Sequence, residues 1–315
     1  MNVVFLGTPE SAVPSLAALL AAGHAVPLVV TRPDRPAGRS GAPRCPAVKD
    51  AAVRAGLTVI QPDSVKGPEF REALLCARPE VLVVVAFGKI LPAPVLEAAR
   101  AGAVNVHFSL LPRYRGAAPV QWALANGEEF TGVTTMRMNA RMDEGDVLLQ
   151  REVAIEPGER APSLTRRLAG VGAALLLETL ERLADGSLVV RPQDPSLATY
   201  AHLLAVSDGE VDPGLTAGEI EARVRGFDPW PGVWLRRGAR RIRIVEASAD
   251  RDASTAEASG TVIGLEGDAV RIACGGGTVL AVHRVQPEDR RVMSARDAAN
   301  GRHVAAGDLL ERIPR

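Results

Sequence analysis

Residues 81–87 read V-L-V-V-V-A-F. A run with no polar alternation is what a strand covered on both faces requires, and such cover is the condition of a central parallel strand. Further apolar runs lie before and after it, at Asn2–Leu6, Val26–Val30, Thr58–Ile60 and Ala103–Val106. Helical segments separate them: one with Val13, Leu16, Leu19 and Leu20 on its apolar face, then 46–55, 70–77 and 95–100. Strands alternating with helices imply an α/β domain with a Rossmann-like, doubly wound parallel sheet. A helix after Gly116, strands at 131–138 and 146–153, and a long amphipathic helix at 162–184 complete this part. Gly7-Thr8-Pro9-Glu10-Ser11 follows the first strand, where dinucleotide folds carry three spaced glycines. Two of those glycines are missing, so the segment reads as a strand-to-helix turn and not as a pyrophosphate cradle.

Residues 105–116 read N-V-H-F-S-L-L-P-R-Y-R-G. Positions two apart in a strand share a face. Asn105 and His107 therefore stand side by side at the C-terminal end of a strand, the edge where open α/β sheets place their ligand crevice. Met142-Asp143-Glu144-Gly145-Asp146 adds carboxylates beside a glycine turn. An amide, an imidazole and a carboxylate suit acyl transfer to an amine. The amide can hold the oxyanion of a tetrahedral intermediate. The imidazole can move protons near neutral pH, and the carboxylate can orient it and stabilise its cationic form. His24, His202, His283 and His303 have no such neighbours and read as structural or solvated.

The set Asn-x-His, Ser-Leu-Leu-Pro, Arg-Gly and Asp-x-Gly-Asp resembles the folate-dependent formyltransferases. Four more stretches, T-R-P-D-R-P-A-G-R from Thr31, Y-R-G-A-A-P-V-Q-W from Tyr114, T-G-V-T-T-M-R-M from Thr131 and F-D-P-W-P-G-V-W from Phe227, resemble the branch of that family that formylates methionyl-tRNA. The likeness runs from residue 2 to about residue 299. It implies 10-formyltetrahydrofolate as donor, the α-amino group of methionine on initiator methionyl-tRNA as acceptor, and no metal. It implies Asn105, His107 and Asp143 as catalytic residues. It places Ser109, Leu110, Leu111 and Pro112 in the folate site, joined by Phe87, Gly88, Ile90 and Leu91 at the same sheet edge. Asp146 is either a folate contact or a structural turn carboxylate. For tRNA the resemblance points to Arg39 and Arg44 in the Pro/Gly-rich loop from Arg32 to Arg44. Ser40-Gly41-Ala42 stand there where the family often has lysines.

The last third changes character. Pro192, Pro195, Pro213 and Gly214 punctuate a connector. Thr216 and Glu219 form the capping-box pattern of a short helix. Short β patterns follow at 232–235, 240–247, 260–265, 268–273 and 278–286, which indicates a small barrel or sandwich; the resemblance specifies an OB-like barrel. Ser248–Ser259 reads as an exposed low-complexity loop. Arg236, Arg237, Arg240, Arg241 and Arg243 cluster in this region as a candidate phosphate-tracking patch. Trp230 and Trp234 lie nearby, but Pro-Trp-Pro reads as a packed corner more readily than as a base-stacking platform. The expected division is a catalytic domain at 1–190, a linker at 191–206 and an OB-like tRNA-binding domain at 207–315.

Composition sets the remaining bounds. A chain of 315 residues is long enough for two cores. The formal net charge is +0, so no global field advertises a polyanionic partner. Cys45, Cys76 and Cys274 lack metal-ligand spacing and suit a reducing cytoplasm. No segment has the roughly 20 apolar residues of a membrane span, and the first residues do not have the form of a signal peptide. A cytoplasmic monomer is expected. Two competing readings are a formyltransferase acting on an amino sugar or glycinamide ribonucleotide, and a catalytically silent RNA-binding protein. The second domain and the Pro33–Arg39 loop oppose the first; the complete Asn105, His107, Asp143 set opposes the second.

Overall fold

The structure is a computed structural model that describes residues 1–36 and 43–313. Two compact units divide it. One comprises Met1–Pro119, Phe130–Ala154 and Thr165–His202; the other comprises Val120–Glu129, Ile155–Leu164 and the chain from Leu203 onward.

The first unit is built on a seven-stranded sheet. Its strands are β1 (Asn2–Gly7), β2 (Ala25–Val30), β3 (Val59–Ile60), β4 (Val81–Val85), β5 (Ala103–His107), β6 (Phe130–Arg137) and β7 (Val147–Ala154). Their spatial order is β7-β6-β5-β4-β1-β2-β3. The first five strands of the chain pair in parallel, as the Val-rich pattern implies, and all five residues of β4 are buried. The last two differ: β6 runs antiparallel to β5, and β7 antiparallel to β6. The seven residues from Met138 to Glu144, with Gly145 and Asp146, bring the chain straight back, too few for the helical crossover that a parallel neighbour needs. Direction of progress across the sheet reverses between β1 and β4, the position where such sheets open a crevice at the C-terminal strand ends. Thr8 Oγ1 donates to the Phe87 carbonyl there at 3.2 Å. The helix Ala161–Asp185 lies close on the sheet: a Cβ added to Gly172 would sit 2.9 Å from the Val106 side chain. This contact seats β5, the strand that carries Asn105 and His107.

The second unit contains the helix Ala217–Gly226 and five principal strands. Thr216 and Glu219 cap that helix reciprocally, as the sequence pattern predicts. The strands are β8 (Val233–Arg237), β9 (Arg240–Ser254), β10 (Val262–Glu266), β11 (Ala269–Ala273) and β12 (Thr278–Pro287), antiparallel in the order β8-β9-β12-β11-β10. Leu309 bridges Thr261 beside β10, and Glu311 bridges Arg236 on β8. The C-terminal segment thus joins the two open edges, which gives the expected barrel and removes exposed strand edges. Within this unit Trp122 packs edge-on against Phe227, with ring centroids 5.3 Å apart.

One expectation is corrected here. Ser248–Ser254 is not a loop but the second half of β9, paired with β12 from Ala281 to Thr278. Register shifts after Ile244, Glu246 and Asp250 break the two-residue alternation, so the strand does not look like one in sequence.

Candidate active site

β5 delivers its two polar side chains from the middle of the sheet, between β4 and β6. Asn105 is 9% exposed and His107 is 6% exposed. A buried carboxamide normally spends its donors and acceptor on neighbours. The Asn105 side chain makes no hydrogen bond among the described residues, so its donors remain available at the rim.

His107 is fixed from one side. Its Nε2 lies 2.9 Å from the Tyr114 carbonyl. A carbonyl only accepts, so Nε2 carries the proton. Nδ1 is left as the nitrogen that gains and loses a proton, and it lies 3.9 Å from Asp143 Oδ2. The same carboxylate oxygen accepts the Gly116 amide at 2.8 Å. Protonation of Nδ1 therefore creates a charge pair in a site only 6% and 16% exposed on its two sides.

A second set of contacts holds Asp143. Its backbone has φ 55°, the left-handed region that Asp tolerates better than most residues. Gln193 Nε2 donates to the carbonyls of Asp143 and Gly145, at 2.8 and 2.6 Å. The Gln193 side-chain oxygen accepts from Nε and Nη2 of the buried Arg115, at 3.0 and 2.7 Å. Arg115 also reaches Glu144 at 3.7 Å. Gly145 is pressed so closely on the Arg137 carbonyl that no Cβ fits. Arg115 appears in the Arg-Gly motif, but its role as a brace does not show in sequence. Gln193 gives no sequence signal at all. It lies in the segment expected to connect the domains, which instead packs with the first unit and pairs Tyr200–Ala201 with Arg115–Gly116.

The loop after β5 is equally well anchored. Thr134 Oγ1 on β6 donates to the Ser109 carbonyl at 2.7 Å and accepts the Leu111 amide at 3.1 Å. Gln150 holds the Leu111 carbonyl at 2.7 Å, and Ser109 Oγ donates to the Arg113 carbonyl. The bond between Leu111 and Pro112 is cis. Leu111 packs with Met136 and Val147, and a Cβ on Gly132 would meet the Leu110 side chain.

Of the other expected folate residues, Phe87 and Leu91 are 2% and 1% exposed and belong to the main apolar core. Their side chains are committed inward, so what they can offer a ligand is backbone. Gly88, with φ 76°, faces the Arg32 guanidinium. Ile90 is 69% exposed. Asp146 stands at the head of β7 and its carbonyl accepts the Arg137 amide. Among the described residues no group of His, Cys, Asp and Glu has the makings of a metal site, and no described helix is long and apolar enough to cross a membrane.

The expected tRNA residues fare unequally. Arg39 lies outside the described residues. The backbone of Arg44 pairs with Arg35 in a two-residue ladder. Within the barrel, Arg236 pairs with Glu311 at 3.0 Å, and Arg237 with Asp308 at 2.7 Å and with the carbonyls of Arg302 and His303. Arg243 donates to the Pro229 carbonyl at 2.6 Å and lies over the Trp234 ring. These three are also staples of the barrel. Arg240 and Arg241 are exposed, and their side chains make no ion pair among the described residues.

Comparison with known proteins identifies the family. Residues 1–180 match the family model described as formyl transferase, and residues 204–303 match the formyl transferase C-terminal domain. The methionyl-tRNA formyltransferase of Anaeromyxobacter dehalogenans (strain 2CP-C) is 46% identical over 302 residues, covering 96% of this chain and 97% of that protein. That of Koribacter versatilis (strain Ellin345) is 44% identical, covering 99% of both. Among solved structures, the sugar 3N-formyl transferase WlaRD, crystallised in the presence of dTDP and 5-N-formyl-THF, shares the fold with a TM-score of 0.68 at 15% identity, over 92% of this chain and 98% of that one. Full-length identity of this order, joined to an Asn105, His107 and Asp143 cluster at the open sheet edge, shows that the chain belongs to the methionyl-tRNA formyltransferases.

Proposed function

We propose that Asn105, His107 and Asp143 carry out transfer of a formyl group from 10-formyltetrahydrofolate to the methionine α-amino group of initiator methionyl-tRNA. The observation that carries this assignment is the unspent Asn105 carboxamide beside an imidazole whose open Nδ1 faces a carboxylate at 3.9 Å. The folate, when bound, supplies the formyl group. The residues present fit it, because the rim offers an amide donor, a proton carrier and anchored loop backbone in one place.

Asn105 donates toward the oxygen on which negative charge collects as the amine attacks. A preplaced donor of this kind acts where charge develops, and costs no reorganisation during the reaction. His107 Nδ1 takes up the proton that the amine sheds and returns it to the departing nitrogen. Nε2 cannot do so while it holds the Tyr114 carbonyl. Asp143 stabilises the transient imidazolium and orients the ring. The anchored loop Ser109–Pro112 and the segment with Phe87, Gly88, Ile90 and Leu91 wall the pteridine site, with Asp146 as a further folate candidate.

For the tRNA we assign Arg39, Arg44, Arg240 and Arg241 to phosphate contacts, with Arg236, Arg237 and Arg243 shaping the surface behind the last two. The chain acts as a cytoplasmic monomer, with its catalytic domain up to about residue 190 and its tRNA-binding domain from about residue 207. The spans of the two family models, 1–180 and 204–303, support that division. The deciding experiment mixes enzyme and 10-formyltetrahydrofolate with initiator and elongator methionyl-tRNA side by side. Formyl is expected on the initiator species; transfer to neither would reject the reading.

A further inference from the structure

Trp230 is 51% exposed, although it stands between two prolines in what reads as a packed corner. It borders a slot of about 210 Å³ lined by Val206, Glu210, Pro231, Trp234, Arg241 and Ile313. A second aromatic wall is rigid. Trp234 Nε1 donates to the Pro231 carbonyl at 2.8 Å, and the Arg243 guanidinium lies 6.0 Å from the ring centroid. Arg243 is itself held by the Pro229 carbonyl. The slot therefore combines an exposed indole, a fixed indole, one guanidinium group and one carboxylate. Arg241 also lines a neighbouring cavity of about 400 Å³, together with Arg240 and Arg290 and facing Glu288 and Asp289.

We propose that this slot takes one unpaired nucleobase of the tRNA, stacked on Trp230, with the flanking phosphate on Arg241. The proposal rests on the reading that tRNA is the acceptor. Size and chemistry select a base over other occupants. The slot is below the roughly 300–1,000 Å³ of ordinary ligand pockets, far too small for a helix of a protein partner but suited to a single ring. Arg241 in the lining supplies a cation for a flanking phosphate. Aromatic faces with nearby arginines are how proteins hold unpaired bases without reading their sequence.

The test uses the full chain and deacylated initiator tRNA as probe. Trp230→Ala should weaken tRNA binding about 5- to 150-fold, the range of one lost base stack, while Trp230→Phe keeps most of the affinity. Binding of the folate donor should not change in either variant. Intrinsic fluorescence supplies a readout independent of the alanine variant's folding. Titration with tRNA should quench the wild type, and the quench should shrink in Trp230→Phe, where Trp122 and Trp234 remain. If the wild type binds tRNA and Trp230→Ala binds it equally well, the slot assignment is overturned and the acceptor reading stands. If the wild type neither binds nor formylates tRNA, both fall. Concentration-dependent dimerisation that Trp230→Ala abolishes, with tRNA affinity unchanged, would give the surface to a second copy and overturn the proposal.

Discussion

The two places where polar side chains gather obey different rules. At the end of β5 the buried polar groups are braced by neighbours, yet keep their working atoms unspent. Asn105 has free donors and His107 has one free nitrogen, while Arg115 and Gln193 hold the carboxylate turn. In the barrel the relation is reversed. Arg236 and Arg237 are spent on Glu311 and Asp308, residues of the segment that closes the barrel. A dense cluster of charge is thus mostly scaffold, while the sparse trio at a strand end, proposed as the chemistry, keeps its atoms unspent. What separates them is whether the polar atoms already have partners.

The largest effect that would break this contrast is expected at Asn105. Asn105→Ala should lower turnover roughly 10²–10³-fold, the range for a single oxyanion donor. Since the side chain makes no bond among the described residues, thermal unfolding should move little and donor affinity should hold. A variant that keeps most of its activity would remove Asn105 from the chemistry.

Next come the braces. Gln193→Ala releases the carbonyls of Asp143 and Gly145 and leaves the buried Arg115 guanidinium short of an acceptor. A displaced carboxylate turn should cost about 10- to 100-fold in kcat, with KM for the donor little changed. Steady-state kinetics separates these terms. An equal change in KM and none in kcat would assign Gln193 to ligand binding.

The arginines sharpen the contrast within the barrel. Arg237→Ala removes charged hydrogen bonds to Asp308 and two carbonyls, and should lower stability by about 1.5–3 kcal/mol, seen as a drop of several degrees in Tm. Arg241→Ala should leave Tm alone and make the salt dependence of tRNA binding shallower by about one unit of slope. The opposite assignment of the two effects would show that the ion pairs misidentify the open residues.

The smallest effect concerns the thiols. Burial pushes the Cys274 thiol up to about 11, so it stays protonated and unreactive near pH 8. Cys45 and Cys76 are exposed. A thiol reagent at pH 8 should titrate two groups in the native protein and three after denaturation.

Much of the catalytic unit was legible because its signals are local. A Val run, a strand-end Asn-x-His and a glycine turn lie within short stretches whose spacing maps directly onto geometry. The capping box at Thr216 and Glu219 was readable for the same reason. What escaped depends on distant partners. Gln193 lies 50 residues from Asp143 in sequence, and nothing near it marks it as a brace. Arg236 and Arg237 look solvated until the C-terminal segment is placed beside them. The antiparallel pair β6–β7 hid within an otherwise parallel pattern, since strand direction leaves little mark on composition. Register shifts concealed the second half of β9.

The relay between His107 and Asp143 is the centre of the account, and a double-mutant cycle tests it most directly. Single-turnover formyl transfer would be measured at saturating donor and methionyl-tRNA for His107→Ala, Asp143→Ala and the double variant. In the proposed relay Nδ1 and Oδ2, facing each other at 3.9 Å, act as one unit, and such units lose function non-additively. The double variant should be little slower than the slower of the two single variants. Losses that multiply would show that the residues act independently, and would contradict the relay.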